Sequence, residues 1–99
     1  MDTFQVIAEP RRREILGLVW DEEMAASEIA GQFDVTFGAI SQHLAVLRDT
    51  GLVTMRRDGN RRLYKADQDA LAPYKEILTS MWSDTIQDLT EAIEKDLGK

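Results

Sequence analysis

The chain has 99 residues, 43% apolar and 30% charged, with a net charge of −6, no Cys and a single His. That length suits one domain with a thin core, to which dimerisation would add; the missing Cys excludes disulfides, thiolate metal sites and thiol redox chemistry, and one His excludes a His cluster within one chain. The net charge conceals a polarity, because residues 1–34 carry −5, residues 35–66 carry +4 and residues 67–99 carry −5, so that a basic middle stretch can face a polyanion that the remainder repels.

The opening Met1-Asp2-Thr3-Phe4 lacks the basic region and apolar run of a signal peptide, and no apolar stretch approaches membrane-spanning length. A cytoplasmic protein is expected. A short helix over Thr3 to Ala8 should end at Glu9-Pro10, since Pro disfavours helix before it and suits the first helical position after it. From Pro10 a second helix is expected to run to about Asp21, with Ile15, Leu16, Val19 and Trp20 on one side. Ser27 to Phe33 reads as a third, although Ala25 and Ala26 offer no capping oxygen. Thr36 is a suitable N-cap for a fourth helix running to about Asp49, and Gly51 stands where a left-handed C-cap belongs.

After Gly51 the period changes to that of strands. Leu52 to Arg57, then Asp58-Gly59-Asn60, then Arg61 to Ala66 reads as a hairpin with a basic tip. Pro73 is expected in the first turn of a last helix, with residues 69–72 a turn or separate cap. On that helix Tyr74, Leu78, Met81, Trp82, Ile86, Leu89, Ile93 and Leu97 recur every three or four residues. The expected fold is therefore mainly α with a small β-hairpin wing, four helices, two strands and a fifth helix, covering residues 1–99 as one domain. A helix pair followed by a basic hairpin is the order of a winged helix-turn-helix, in which the second helix of the pair enters the major groove of double-stranded DNA.

The fourth helix tests this. At 100° per residue, Ile40, Leu44 and Leu47 share one face, while Gly38, Ser41, Gln42, Ala45 and Asp49 fall opposite. The outward face is small or polar near its start, and Gln42 can pair with a base edge. Polar faces are commonly no more than solvated surface, and a basic hairpin commonly only guards a sheet edge; the two together favour DNA. Phe37 is either a contact to a thymine methyl or packing at the helix start. His43 lies at the flank of the groove face, which suits a phosphate contact or a backbone hydrogen bond better than base reading, and no nucleophile and base accompany it for catalysis. No enzymatic function is expected. The DNA-contact set is Thr36, Phe37, Gly38, Ala39, Ser41, Gln42 and His43 on the helix with Arg57, Asn60, Arg61 and Arg62 on the wing.

Ala8-Glu9-Pro10-Arg11-Arg12-Arg13-Glu14-Ile15-Leu16, Ser41-Gln42-His43-Leu44-Ala45-Val46-Leu47-Arg48, Gly51-Leu52-Val53, and the wing Arg57-Asp58-Gly59-Asn60-Arg61 with Tyr64 together resemble the ArsR-type (ArsR/SmtB) transcriptional regulators over nearly the whole chain. The resemblance implies a symmetric homodimer that binds an operator of two half-sites and usually represses its own or a neighbouring gene. It places the dimer contacts at the two ends of the chain, where Phe4 and Ile7 would meet Trp82, Ile86, Leu89 and Ile93 across a two-fold axis. At the family's Arg position, Arg12 would pair with an internal acid or with the DNA backbone.

Metal sensors of this family use Cys near the third helix, where this chain has Met24-Ala25-Ala26-Ser27-Glu28, or His with carboxylates on the last helix, where it has Asp84, Asp88, Glu91, Glu94 and Asp96 but no His. No metal, thiol switch or cofactor is therefore expected. Two alternatives stay open, a regulator answering to a small-molecule or protein effector through an apolar pocket near Trp20, Trp82 or the dimer seam, and a winged protein-interaction module that does not read DNA.

Overall fold

The computed structural model describes residues 2–82. Ile86, Leu89 and Ile93 of the expected dimer set, and the acids from Asp84 to Asp96, lie outside the described residues. Helix α1 (Thr3–Ala8) begins in a capping box, in which the Asp2 carboxylate accepts from the Gln5 amide at 2.8 Å and the Gln5 side chain accepts from the Asp2 amide at 3.1 Å. Glu9 then does the same for α2 (Pro10–Leu18), its carboxylate accepting from the Arg12 amide at 3.0 Å with Pro10 in the first turn. Helix α2 ends about one turn earlier than its apolar spacing suggests, leaving Val19 buried beyond its end and Trp20 half-buried.

Strand β1 (Met24–Ala25) has no counterpart in the sequence pattern. It pairs antiparallel with the far wing strand, Met24 opposite Tyr64 and Ala25 opposite Leu63, and leads straight into α3 (Ala26–Ala30). Ala25 provides no side-chain cap, and only the reciprocal half of a capping box is made, in which Glu28 reaches back to accept from the Ala25 amide at 3.0 Å. Turns rather than helix carry the chain from Ala30 to Phe33. Helix α4 (Phe37–Asp49) is capped by Thr36, whose hydroxyl accepts from the Ala39 amide at 3.1 Å. It closes at Gly51, φ +76°, with the Leu52 amide reaching back to the Leu47 carbonyl at 2.9 Å.

Strands β2 (Val53–Asp58) and β3 (Arg61–Ala66) form the wing, joined by Gly59-Asn60. Of these two only Gly59 has positive φ, +63°, the pattern of a II′ turn centred one residue later than an Asp58-Gly59 turn. With β1 the hairpin becomes a three-stranded sheet in the order β1-β3-β2. Asp67 caps the short helix α5 (Gln68–Leu71), a 3-10 turn at Ala72–Tyr74 takes up Pro73, and residues 75–82 are helical again, here called α6. The turn or cap expected at residues 69–72 is thus a helix of its own.

Ile15 and Leu16 of α2, Ile29 of α3 and Ile40 and Leu47 of α4 meet in the core at 0% exposure, with Leu44 at 1%. Each such aliphatic side chain contributes about 1.5–3 kcal/mol by leaving water. Their burial turns the other side of α4 outward, which sets the orientation of the residues described next.

Candidate nucleic-acid interface

The orientation of α4 is decided by packing. Ile40, Leu44 and Leu47 hold it against α2 and α3, and His43 on the flank is turned toward the start of α2, with its Nε2 4.0 Å from Glu9 Oε2. His43 is therefore directed to an acid within the chain. The outward side presents Gln42, exposed, and Ser41, half-buried, while Thr36, Phe37 and Gly38 are exposed around the helix start and Ala39 is half-covered.

The wing stands beside that start. A hollow of about 430 Å³ separates them, bordered by Ser27 of α3, Phe37 and Ser41 of α4, and Asn60, Arg61 and Arg62 of the wing. Five of the eleven residues expected at the DNA thus line one concavity, whereas Thr36, Gly38, Ala39, Gln42, His43 and Arg57 do not. Both faces of the concavity carry hydrogen-bonding groups, and its wing side is cationic, which suits a polyanion's backbone.

Two acids that sequence reasoning did not single out organise these cations. Glu28 of α3 pairs with Arg61, and Glu23 just before β1 accepts from Arg56 in a two-pronged contact at 2.7 and 2.9 Å. Each pair spans 33 residues of sequence, so no local spacing could have shown it; β1 brings the acids alongside the wing. The fork from Arg56 holds the Glu23 carboxyl below its ordinary pKa. Among the described residues Arg57 and Arg62 are exposed and have no ion pair.

The arginines of α2 are occupied elsewhere. Arg12 Nε donates to the Val6 carbonyl at 2.8 Å, and Arg13 Nη1 donates to the Ile7 and Ala8 carbonyls at 2.9 and 2.8 Å. They satisfy the carbonyls left open at the end of α1 and put positive charge at its negative pole. Arg11 pairs with Glu14 and covers the Phe33 ring at 4.7 Å. Glu14 is thus a partner of Arg11, and the end carbonyls of α1 are among the partners of Arg12 and Arg13.

Of the expected dimer residues, Ile7 is buried in its own protomer at 3% exposure and Trp82 docks on its own α2, whereas Phe4 is 61% exposed. Phe4 shares an apolar hollow of about 210 Å³ with Ile77 and Met81, themselves 42% and 39% exposed. Sequence reasoning does not single out Ile77, which lies off the stripe containing Leu78. This hollow is lined mainly by apolar side chains. No helix among the described residues is long and apolar enough to cross a membrane.

Residues 9–55 match the family of bacterial regulatory proteins called the arsR family. The chain is 31% identical to the HTH-type transcriptional regulator Rv2034 of Mycobacterium tuberculosis, over 94% of this chain and 87% of that protein. Among solved structures it is similar to the crystal structure of a possible transcriptional regulator for arsenical resistance, at 39% identity and a TM-score of 0.71, covering 91% of this chain and 94% of that one. It is also similar to the homodimeric winged helix-turn-helix DNA-binding domain of Mb0332 from Mycobacterium bovis, at 27% identity and a TM-score of 0.70, covering 82% of this chain and 75% of that one. Members of this family are transcriptional regulators rather than enzymes. With a Thr-capped outward helix beside a cationic three-stranded wing, the chain belongs to the ArsR family and is a DNA-binding transcriptional regulator with a winged helix-turn-helix fold.

Proposed function

We propose that the chain acts as a homodimeric repressor, of its own gene or a neighbouring one, that occupies an operator of two half-sites without a metal or thiol sensor. The observation that carries this reading is the concavity that joins Phe37 and Ser41 of α4 to Asn60, Arg61 and Arg62 of the wing. Ser41 and Gln42 would meet base edges, while Arg57, Arg61, Arg62 and Asn60 meet the backbone on either side. Thr36, Gly38 and Ala39 let the helix end approach closely, and His43 at the flank would contact a phosphate.

Dimerisation supplies the second half-site. The exposed Phe4, Ile77 and Met81 support an interface at the chain's two ends, where an apolar patch from each protomer would be covered by the other. Repression then follows from occupancy, since a dimer lying on a promoter excludes polymerase.

The test is equilibrium binding to the DNA upstream of the protein's own gene and to scrambled duplex, by fluorescence anisotropy at several salt concentrations, with sedimentation of the free protein. Selective binding by a dimer, weakening steeply with salt, is the expected result. Equal, weak binding to both duplexes sends the search for an operator to randomised DNA, and failure there leaves a winged interaction module.

A further inference from the structure

The first turn of α4 is made almost wholly of carbon. Phe37 opens the helix with 55% of its surface exposed. Gly38 follows, and a Cβ built there would meet nothing nearer than Thr36 Oγ1 at 4.0 Å, so nothing among the described residues requires a glycine for space. Ala39 adds a methyl. Side-chain hydrogen bonding to a groove begins only with Ser41 and Gln42, one turn later. A helix end that reads bases without donors or acceptors has one base feature to distinguish in the major groove, the C5 methyl of thymine, which aromatic and small apolar side chains contact.

The ring also lies beside the wing. Phe37 borders the hollow shared with Ser41, Asn60 and Arg62, and just over half of its surface is exposed at the helix tip. Side chains in the first turn lean back over the helix start, so the free edge projects beyond the end of α4. Backbone bound at Asn60 and Arg62 on the wing side would bring the adjacent base toward that edge. We propose that Phe37 reads thymine, its ring packing on the C5 methyl of one thymine in each half-site, while Gly38 lets the helix end come close enough for the contact. The proposal rests on the DNA-binding reading and assigns its base chemistry.

The test begins with duplexes enriched from a randomised library by the wild-type dimer. Each thymine of the enriched site is then replaced by deoxyuridine, which removes only the methyl, and affinity is measured for wild type, Phe37→Ala and Phe37→Leu, whose fold is checked by circular dichroism. One position per half-site should lose about four-fold in wild type, as burial of one methyl implies, and roughly sixteen-fold when both are replaced. Phe37→Ala should bind thymine and deoxyuridine duplexes equally, with Phe37→Leu between. Deoxyuridine tolerated everywhere by wild type, or an undiminished penalty in Phe37→Ala, overturns the assignment while leaving DNA binding intact. Failure to enrich any duplex removes the DNA-binding reading and this proposal with it.

Discussion

Trp82 meets Trp20 edge to face, with ring centroids 5.4 Å apart at 69°, and its Nε1 donates to the Arg13 carbonyl at 3.0 Å. The same indole lies where a side chain at Gly17 would be, with Cε2 and Nε1 each 3.3 Å from the position of a Cβ. The last described helix is thus keyed onto α2 by a ring in the space that a glycine leaves open.

This arrangement predicts a coupling. Gly17→Ala alone should change stability little, because the gain of about 1 kcal/mol from a better helix former is opposed by crowding against the indole. In a Trp82→Ala background the crowding is gone, so the same Gly17→Ala should stabilise by about 1 kcal/mol. Urea unfolding of the four proteins measures the cycle. Equal effects of Gly17→Ala in both backgrounds would show that the ring does not touch that position. Trp82→Ala should also weaken the dimer in sedimentation, through a displaced α6 and with it the placement of Ile77 and Met81.

The wing predicts a division of labour between its arginines. Arg62 has no acid to leave among the described residues, so Arg62→Ala should flatten the dependence of log affinity on log salt by about 0.9, the amount that one neutralised phosphate adds to the slope. Arg61 must first part from Glu28. Arg61→Ala should flatten the slope by about the same amount, whereas Glu28→Gln should raise affinity for any duplex, since it removes both a competitor for Arg61 and a negative charge beside the DNA. Gln keeps an oxygen for the Ala25 amide, so the cap of α3 is spared. A drop in affinity for Glu28→Gln would mean that the acid positions Arg61 for DNA instead of restraining it.

Acid should release the other pair. The Glu23 carboxyl is held below its ordinary value of 4.5 by its hydrogen bonds from Arg56, so the ion pair contributes while the pH is above that value and the contribution disappears as pH falls through the lower folded-state pKa. Wild type and Glu23→Gln should therefore differ in unfolding midpoint at neutral pH and converge in acid. The pair is solvent-screened, and high salt should shrink the neutral-pH difference as well. A difference that persists unchanged into acid would assign it to something other than the carboxylate's charge.

Much of this molecule is legible from local pattern. Thr36, Gly51 and the spacing of Ile40, Leu44 and Leu47 announce α4 and its orientation, because a cap, a left-handed residue and a buried stripe are each determined within a few residues. Asp58-Gly59-Asn60 announces the wing, with Asp58 taken up into β2 opposite Arg61. What stays hidden depends on distant partners. Two residues, Met24 and Ala25, have no period of their own and become a strand only because β3 offers its free edge. Arg12 and Arg13 give no local sign that their partners are the end carbonyls of the preceding helix. At the candidate site, the helix and wing residues can be named from the sequence, but Ser27, Glu23 and Glu28 enter only through folding.

Strand β1 has a mechanical consequence for the operator. It runs directly into α3, pairs with β3, and carries at its two flanks the acids that hold Arg56 and Arg61. The wing is thereby joined to the helix pair, and in the DNA complex proposed above the protein itself would set the separation between α4 in a groove and the wing on the neighbouring backbone. A duplex whose relaxed geometry does not match that separation must itself twist or bend, at an energy that depends on its sequence. Base pairs lying between those two grips, touched by no side chain, should consequently influence affinity through their stiffness alone.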